Sequence, residues 1–489
     1  MKKAIIILCA LGLLSCAKEP VLPQEPAAGV PMSFEINVTE TKAAKSAWAD
    51  GDKIYVFFAG METKYLVMTF DAGTDAWTDA PGAGAFLDAD FSVLASKTLT
   101  AVHFPVPVDV TYAAGEFKFT SGGKPVYNYY LYETGNAYTV EGSTVTANLT
   151  MGKPADFVQL HVAGIQSTVA NYTLGCAQIR PVACRSVSVE GGVNEDVLQA
   201  GARLSGIADS DGAVFAGRLD KPSATSYTFT LASNDKIYTL TRGSSLSAGM
   251  MYVFPGLSDA RWSAQSVSSL YVDLGLSVKW ATSNVGAAGP QNEGNHYAWG
   301  EIVPKSDYSW NTYLWAVSNS MLIKYCSNSA YGENGYTDSL TILEKEDDVA
   351  YAALGGRFRM PTRQDWTELG NTKKNSNYTW TWCDGTNVKY NGTSAQGLKI
   401  VRNSTNATLF LPAAGLIGGM MLVYNNANPF SSERRAFYWS SSLNTDNSRY
   451  STMCEFFYSS TAGQKVQYIL EKDDFGSRYY GYSVRPVYD

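Results

Sequence analysis

Trp48-Ala49-Asp50-Gly51-Asp52-Lys53-Ile54-Tyr55-Val56-Phe57 decides how the first half of this chain folds. Asp50-Gly51-Asp52 is turn chemistry, and beyond it Ile54, Val56 and Phe58 fall on one face of an extended segment. The same period of two recurs upstream in Phe34, Ile36 and Val38 and downstream in Tyr227, Phe229 and Leu231, which marks half-buried strands. Ser233-Asn234-Asp235, between Leu231 and Ile237, reads as a hairpin turn. Clusters of Gly, Asp and Ser punctuate residues 32–257, and no sustained amphipathic helix interrupts them. Two packed β-sandwiches fit, over residues 32–153 and 154–257, dividing near Gly152-Lys153-Pro154.

The flanking sequence sets the address. Met1-Lys2-Lys3 is a positive start, Ala4 to Leu14 a short apolar run, and Leu13-Leu14-Ser15-Cys16 a lipoprotein cleavage pattern. Residues 1–15 are therefore expected to be a signal peptide, with Cys16 becoming a lipidated N-terminus that anchors the protein to a membrane. Residues 16–31 are Pro-spaced and read as an extended tether. A net charge of -7 over 489 residues, without clustered Lys or Arg, argues against nucleic acid and against a polybasic membrane patch. Beyond Cys9 and Cys16 five cysteines remain, an odd number, so a complete disulfide set is excluded. Cys176 and Cys184 are near enough in sequence to bridge, and neither sits in a CxxC motif.

Thr41-Lys42-Ala43 followed by the Trp48–Phe57 segment resembles the fimbrillin family of Gram-negative gut anaerobes. That resemblance implies a two-domain β-sandwich carried to the outer surface as a lipidated precursor. It also implies removal of the first strand by a protease and filling of the groove by a strand from a neighbouring subunit, a form of β-augmentation. No Arg precedes Arg180, so Lys42 and Lys45 are the candidate processing positions. The chain continues for about half its length past the sandwich region. A strand-accepting tip or accessory subunit that donates no strand fits this better than a shaft subunit.

Ser258 to Leu270 is Ser- and Ala-rich and reads as a linker over residues 258–270. From Tyr271 onward come Trp280-Ala281, Tyr297-Ala298-Trp299-Gly300-Glu301, Gly355-Gly356-Arg357-Phe358-Arg359-Met360-Pro361-Thr362, Leu411-Pro412-Ala413-Ala414-Gly415, Tyr438-Trp439-Ser440-Ser441-Ser442 and Val484-Arg485-Pro486-Val487. In that order they resemble the FISUMP (major paralogous domain) family over residues 271–489, which implies a C-type-lectin-like α+β fold related to that of formylglycine-generating enzymes. Where that family carries a Cys this chain has Ser283, so no disulfide is transferred. Thr362 and Asp365 predict a capped helix from Arg363. A second helix is expected from Ile342 to Leu354, ended by Gly355-Gly356. The fold class expected is mainly β: two tandem sandwiches, then an α+β lectin-like domain.

Little in this sequence invites chemistry. Cys326, Cys383 and Cys454 occupy no reactive motif, and a formylglycine-generating-type enzyme is the weakest of three readings. His103, His161 and His296 have no ligand spacing, so neither a metal nor a cofactor is expected. Glu344, Glu346, Asp347 and Asp348 lack a calcium-loop pattern and read as a helix start. Trp280, Trp299 and Trp439 are expected in the core, and Arg359 and Arg485 as anchors of buried acceptors. Trp310, Trp315, Trp380 and Trp382 are the candidate ligand platforms for stacking a sugar ring. The expectation is a non-catalytic adhesin, lipid-anchored in the outer membrane and facing the exterior. Its expected partners are other fimbrillin-like subunits and glycans or host surface proteins. A glycan-binding lipoprotein that does not polymerise is the alternative.

Overall fold

Ile54, Val56 and Phe58 share one buried face, as the alternation requires, but Tyr55 and Phe57 are buried just as deeply on the other. The structure is a computed structural model describing residues 29–40, 48–317, 321–423, 434–459, 465–471 and 476–489. The first strands are β1 (Ser33–Glu40), β2 (Lys53–Phe58), β3 (Leu66–Asp71), β4 (Ala76–Pro81), β5 (Thr98–His103), β6 (Asp109–Ala113), β7 (Glu116–Thr120), β8 (Leu131–Glu141), β9 (Thr144–Met151) and β10 (Phe157–Ala163). Seven of them make one sheet in the order β1-β9-β8-β5-β2-β3-β4. β2 is central in it and covered on both faces, which explains its unbroken apolar run.

One face of that sheet closes over Ile54, Val56, Phe58, Leu99, Val145 and Leu149. The other packs Tyr55, Phe57 and Val102 against Phe117 and Phe119 of β7 and Val182 and Val187 of strand Val182–Ser188. This last strand pairs with β7, Ser186 opposite Lys118, in a four-stranded sheet with β6 and strand Val193–Val197. Strand pairing therefore crosses the expected division at Gly152-Lys153-Pro154. A non-local pairing of this kind leaves no mark in local periodicity.

A second core lies between two five-stranded sheets, with Leu160 and Val162 of β10 facing Leu174, Phe229 and Leu231. The hairpin at Ser233-Asn234-Asp235 joins Tyr227–Ala232 to Lys236–Arg242. The stretch expected to be a linker is more ordered than its composition suggests. Ser263–Ser266 adds as an edge strand to Lys236–Arg242, and Trp262 is buried with its indole N–H donating to the Pro255 carbonyl at 3.0 Å. The Cys176–Cys184 bridge is also corrected: both are free thiols, Cys176 in the second core and Cys184 in the core under the seven-stranded sheet.

Residues from 271 onward combine short sheets with two short helices, Val349–Leu354 and Arg363–Asn371. The second begins where Thr362 and Asp365 predict, with both halves of the capping box formed. The first starts later than expected. Asp348 rather than the Glu344 end is the cap, accepting from the Ala350 and Tyr351 amides, while Lys345–Asp347 forms one 3₁₀ turn. Trp280, Trp299, Trp366 and Trp439 are completely buried. The chain is thus mainly β throughout. No helix among the described residues is long and apolar enough to cross a membrane.

This part is fastened to the second core by buried polar contacts. Arg203 donates to the carbonyls of Thr173 (2.8 Å), Thr230 (2.7 Å) and Ala352 (3.1 Å). The Gln199 amide donates to the Gly300 carbonyl and to Asp347, and the Tyr488 hydroxyl donates to the Asn234 carbonyl.

Candidate functional site

Among the described residues β1 is the outermost strand of the seven-stranded sheet and pairs on one side only, parallel to β9, from Ser33 opposite Thr144 to Glu40 opposite Met151. Its alternation puts Ser33, Glu35, Asn37 and Thr39 in solvent and Phe34, Ile36 and Val38 against the core. Phe34 stacks among Phe58, Phe86 and Phe91 with ring centroids 6.0, 5.1 and 6.3 Å away. All three apolar residues remain half-buried, so each contributes less than the ~1.5–3 kcal/mol of a fully buried side chain. Side-chain links add to the ladder, among them Ser33 Oγ with Thr144 Oγ1 at 3.0 Å, Asn37 Nδ2 to Asn148 Oδ1 at 3.0 Å and Thr39 Oγ1 to the Leu149 carbonyl at 3.0 Å.

Withdrawing β1 would uncover an apolar slot over Phe58, Phe86 and Leu149 and a row of unpaired amides and carbonyls on β9. An edge of this kind is a template for another strand. Lys42 and Lys45 fall immediately after β1 in the sequence and lie outside the described residues, as does Cys16.

The four Trp candidates separate into two clusters. Trp310 and Trp315 share one with Tyr308, Tyr313 and Leu322. Trp315 donates its indole N–H to the Gly300 carbonyl at 2.9 Å and has the Lys324 ammonium 5.0 Å from its ring centre. Trp310 is half-buried, edge-on to Tyr313 and Tyr479. Trp380 and Trp382 lie on strand Tyr378–Cys383 opposite Ile400 and Leu398 and belong to a different core. Trp382 is only 9 % exposed, and Trp380 donates to Thr372 Oγ1 at 2.9 Å. Three of the four are thus held by packing or hydrogen bonds, and Trp310 presents the freest ring.

Several charged residues of this half serve the interior. Arg485 is fully buried and donates to Asn284 Oδ1 (2.8 Å) and the carbonyls of Ala281 (3.0 Å) and Phe410 (2.8 Å). Arg359 grips Asp365 and Asp489. Sequence reasoning overlooked Arg478, which is equally buried, 4.7 Å over the Trp299 ring, and bonded to the Tyr313 hydroxyl and the Tyr325, Ser448 and Lys324 carbonyls. Its only sequence signal is an Arg flanked by Gly476, Ser477 and three tyrosines. Asp347 accepts from Lys324 and the Tyr325 hydroxyl. Burial, against three backbone hydrogen bonds, pushes the Asp348 carboxyl up to about 6.

Burial raises the thiols too, Cys176 to about 11 and Cys454 well above the ordinary range, so neither is poised as a thiolate nucleophile. His161 stands 3.1 Å from Asp211, His103 against the Lys53 carbonyl and His296 against the Ala414 carbonyl. The described residues contain no group of His, Cys, Asp and Glu placed to hold a metal.

No family model matches the chain, and no curated protein matches it. Among solved structures, a fimbrial protein of Bacteroides ovatus is similar over 94% of this chain and 100% of its own, at 10% identity and a TM-score of 0.23. A candidate cell adhesion protein of the same species is similar over 49% of this chain and 96% of its own, at 13% identity and a TM-score of 0.26. The fimbrial anchor protein Mfa2 of Porphyromonas gingivalis is similar over 42% and 78%, at 11% identity and a TM-score of 0.18. Scores this low leave function to be read from the chain's own residues.

Proposed function

We propose that this protein reaches the cell surface as a lipoprotein precursor, anchored through Cys16 in the outer membrane and facing outward until cleavage after β1 removes the anchor, and that the processed form works as a non-catalytic adhesin that accepts a strand from another fimbrillin-like subunit. In this reading residues 32–257 are two fimbrillin-like sandwiches and residues 271–489 a lectin-like domain displayed at the tip of an assembly. The observation that carries it is the placement of β1: an edge strand with one neighbour among the described residues, parallel to it, half-buried, and followed directly in the sequence by Lys42 and Lys45. Cleavage at either lysine would cut the covalent link from β1 to the rest of the sheet. A donor strand would then regain the same ladder and fill the slot left by Phe34, Ile36 and Val38.

The strand Val487–Tyr488 is not placed to be a donor. Val487–Tyr488 is clasped between Lys279–Ala281 and Phe358–Arg359, and Val487 is fully buried. This supports a subunit that receives a strand and gives none.

The test is an immunoblot of native-host membranes, with and without boiling in detergent, followed by N-terminal sequencing of each band. A heat-sensitive ladder whose bands begin after Lys42 or Lys45 is expected. A single lipidated monomer beginning at Cys16 under both conditions overturns strand exchange and leaves the non-polymerising lipoprotein.

A further inference from the structure

A cleft of about 750 Å³ with a mixed polar and apolar lining opens beside the seven-stranded sheet, between β8, the turn at Glu190-Gly191-Gly192 and the chain entering β10. Its volume lies within the ~300–1,000 Å³ of small-ligand sites. The opening has a local cause. Leu99 pairs with Asn136 and Ala101 with Glu133, so β8 carries Thr134 and Gly135 as a bulge, Gly135 at φ +68°. Bulges recur beside binding sites because they turn a side chain out of the ladder. Across the gap Thr100 Oγ1 donates to the Gly191 carbonyl at 2.5 Å and fixes the opposite wall.

The charged groups in the cleft are held in place before any ligand arrives. Arg218 is forked between Asp156 (2.5 Å) and Glu195 (2.6 Å), and the Tyr130 hydroxyl donates to the other Glu195 oxygen. Desolvation, with the adjacent carboxylate, raises the Tyr130 pKa and keeps that hydroxyl a donor. The Tyr132 ring, 5.7 Å from that of Tyr130, is half-buried at the wall. Asp156, Glu190 and Glu195 outnumber the single cation Arg218, so the cleft disfavours anions.

Fixed carboxylates, threonine hydroxyls and a tyrosine face, with an excess of acceptors over donors, match a ligand rich in hydroxyl donors and apolar C–H faces. We propose that this cleft binds a neutral oligosaccharide, with Tyr132 as the stacking ring and Asp156 and Glu195 as acceptors of its hydroxyls. The site is distinct from the Trp residues of the C-terminal half and does not depend on strand exchange.

The test is saturation-transfer NMR on the full chain in a non-glycosidic detergent, with gluco-, galacto- and manno-configured neutral tetrasaccharides and a sulfated form of each. At least one neutral probe is expected to bind, with affinity falling tenfold or more in Tyr132→Ala. Thr134→Trp, at an exposed position that blocks the mouth, is expected to do the same. Binding by none of the neutral probes, preference for the sulfated forms, or affinity unchanged in both cleft variants overturns the proposal.

Discussion

β1 and the strand Val487–Tyr488 lie far apart in the sequence and are held in opposite ways. β1 has eight residues, one neighbouring strand and apolar side chains that are only half-buried. Val487–Tyr488 has two residues but neighbours on both sides, and it is backed by the buried forks of Arg485 and by Arg359 on Asp489. Length is therefore a poor guide to attachment. Pairing on both edges and desolvated polar anchors make a strand inseparable from its fold, whereas a long strand on one edge can be exchanged while the sheet behind it survives.

The largest expected effect lies at the locked end. Arg485→Ala strands three buried acceptors at about 1–3 kcal/mol each, so the C-terminal half is expected to lose about 3–9 kcal/mol in denaturant titrations followed by Trp fluorescence. A loss below about 1 kcal/mol would remove the contrast. The same substitution placed on each strand sharpens it. Val487→Ala is expected to cost about 2 kcal/mol and Val38→Ala about 1, because only the first deletes fully buried methyl groups. Equal costs would mean that β1 is held as firmly as the C-terminal strand.

Much of this was legible in the residues. Alternation located β1, the hairpin at Ser233-Asn234-Asp235 and the inner face of β2, and Thr362 with Asp365 located a helix start, because each is a local pattern with a local cause. Arg485 and Arg359 were readable as anchors because an Arg inside an apolar motif needs acceptors. Sequence missed what depends on distant partners: strand Val182–Ser188 reaching β7, Ser263–Ser266 completing a sheet edge, and Cys176 and Cys184 parted into two cores. Trp315, Trp380 and Trp382 look like platforms in a string of letters. Only the fold shows Gly300, Thr372 and the neighbouring strands already holding them. The cleft at Thr134–Gly135 was invisible because a bulge is a property of register between two strands.

A smaller effect concerns pH at the locked end. Burial holds the His296 imidazole below its ordinary pKa, so this group gives stability that is full above about pH 6.5 and lost as pH falls toward the folded value. Asp348, raised to about 6, acts the other way, giving stability present at low pH and lost as pH rises through about 6. The difference between parent and His296→Gln isolates the histidine. The parent is expected to lose more stability than the variant between pH 7 and 5 in thermal melts, and identical pH slopes would contradict the assignment. The smallest effect is at the exchangeable edge, where Asn37→Ala, which removes the link to Asn148, is expected to change stability by no more than about 0.5–1 kcal/mol.

The most direct measurement cuts the purified protein with a Lys-specific protease, adds excess labelled peptide of the β1 sequence Ser33–Glu40, and follows its incorporation by mass spectrometry beside hydrogen exchange of β9. The account predicts that the native strand leaves, the labelled peptide takes its place, and β9 regains protection while β2 and β5 stay protected throughout. A cut β1 that never exchanges, or a sheet that unfolds when β1 leaves, would contradict it.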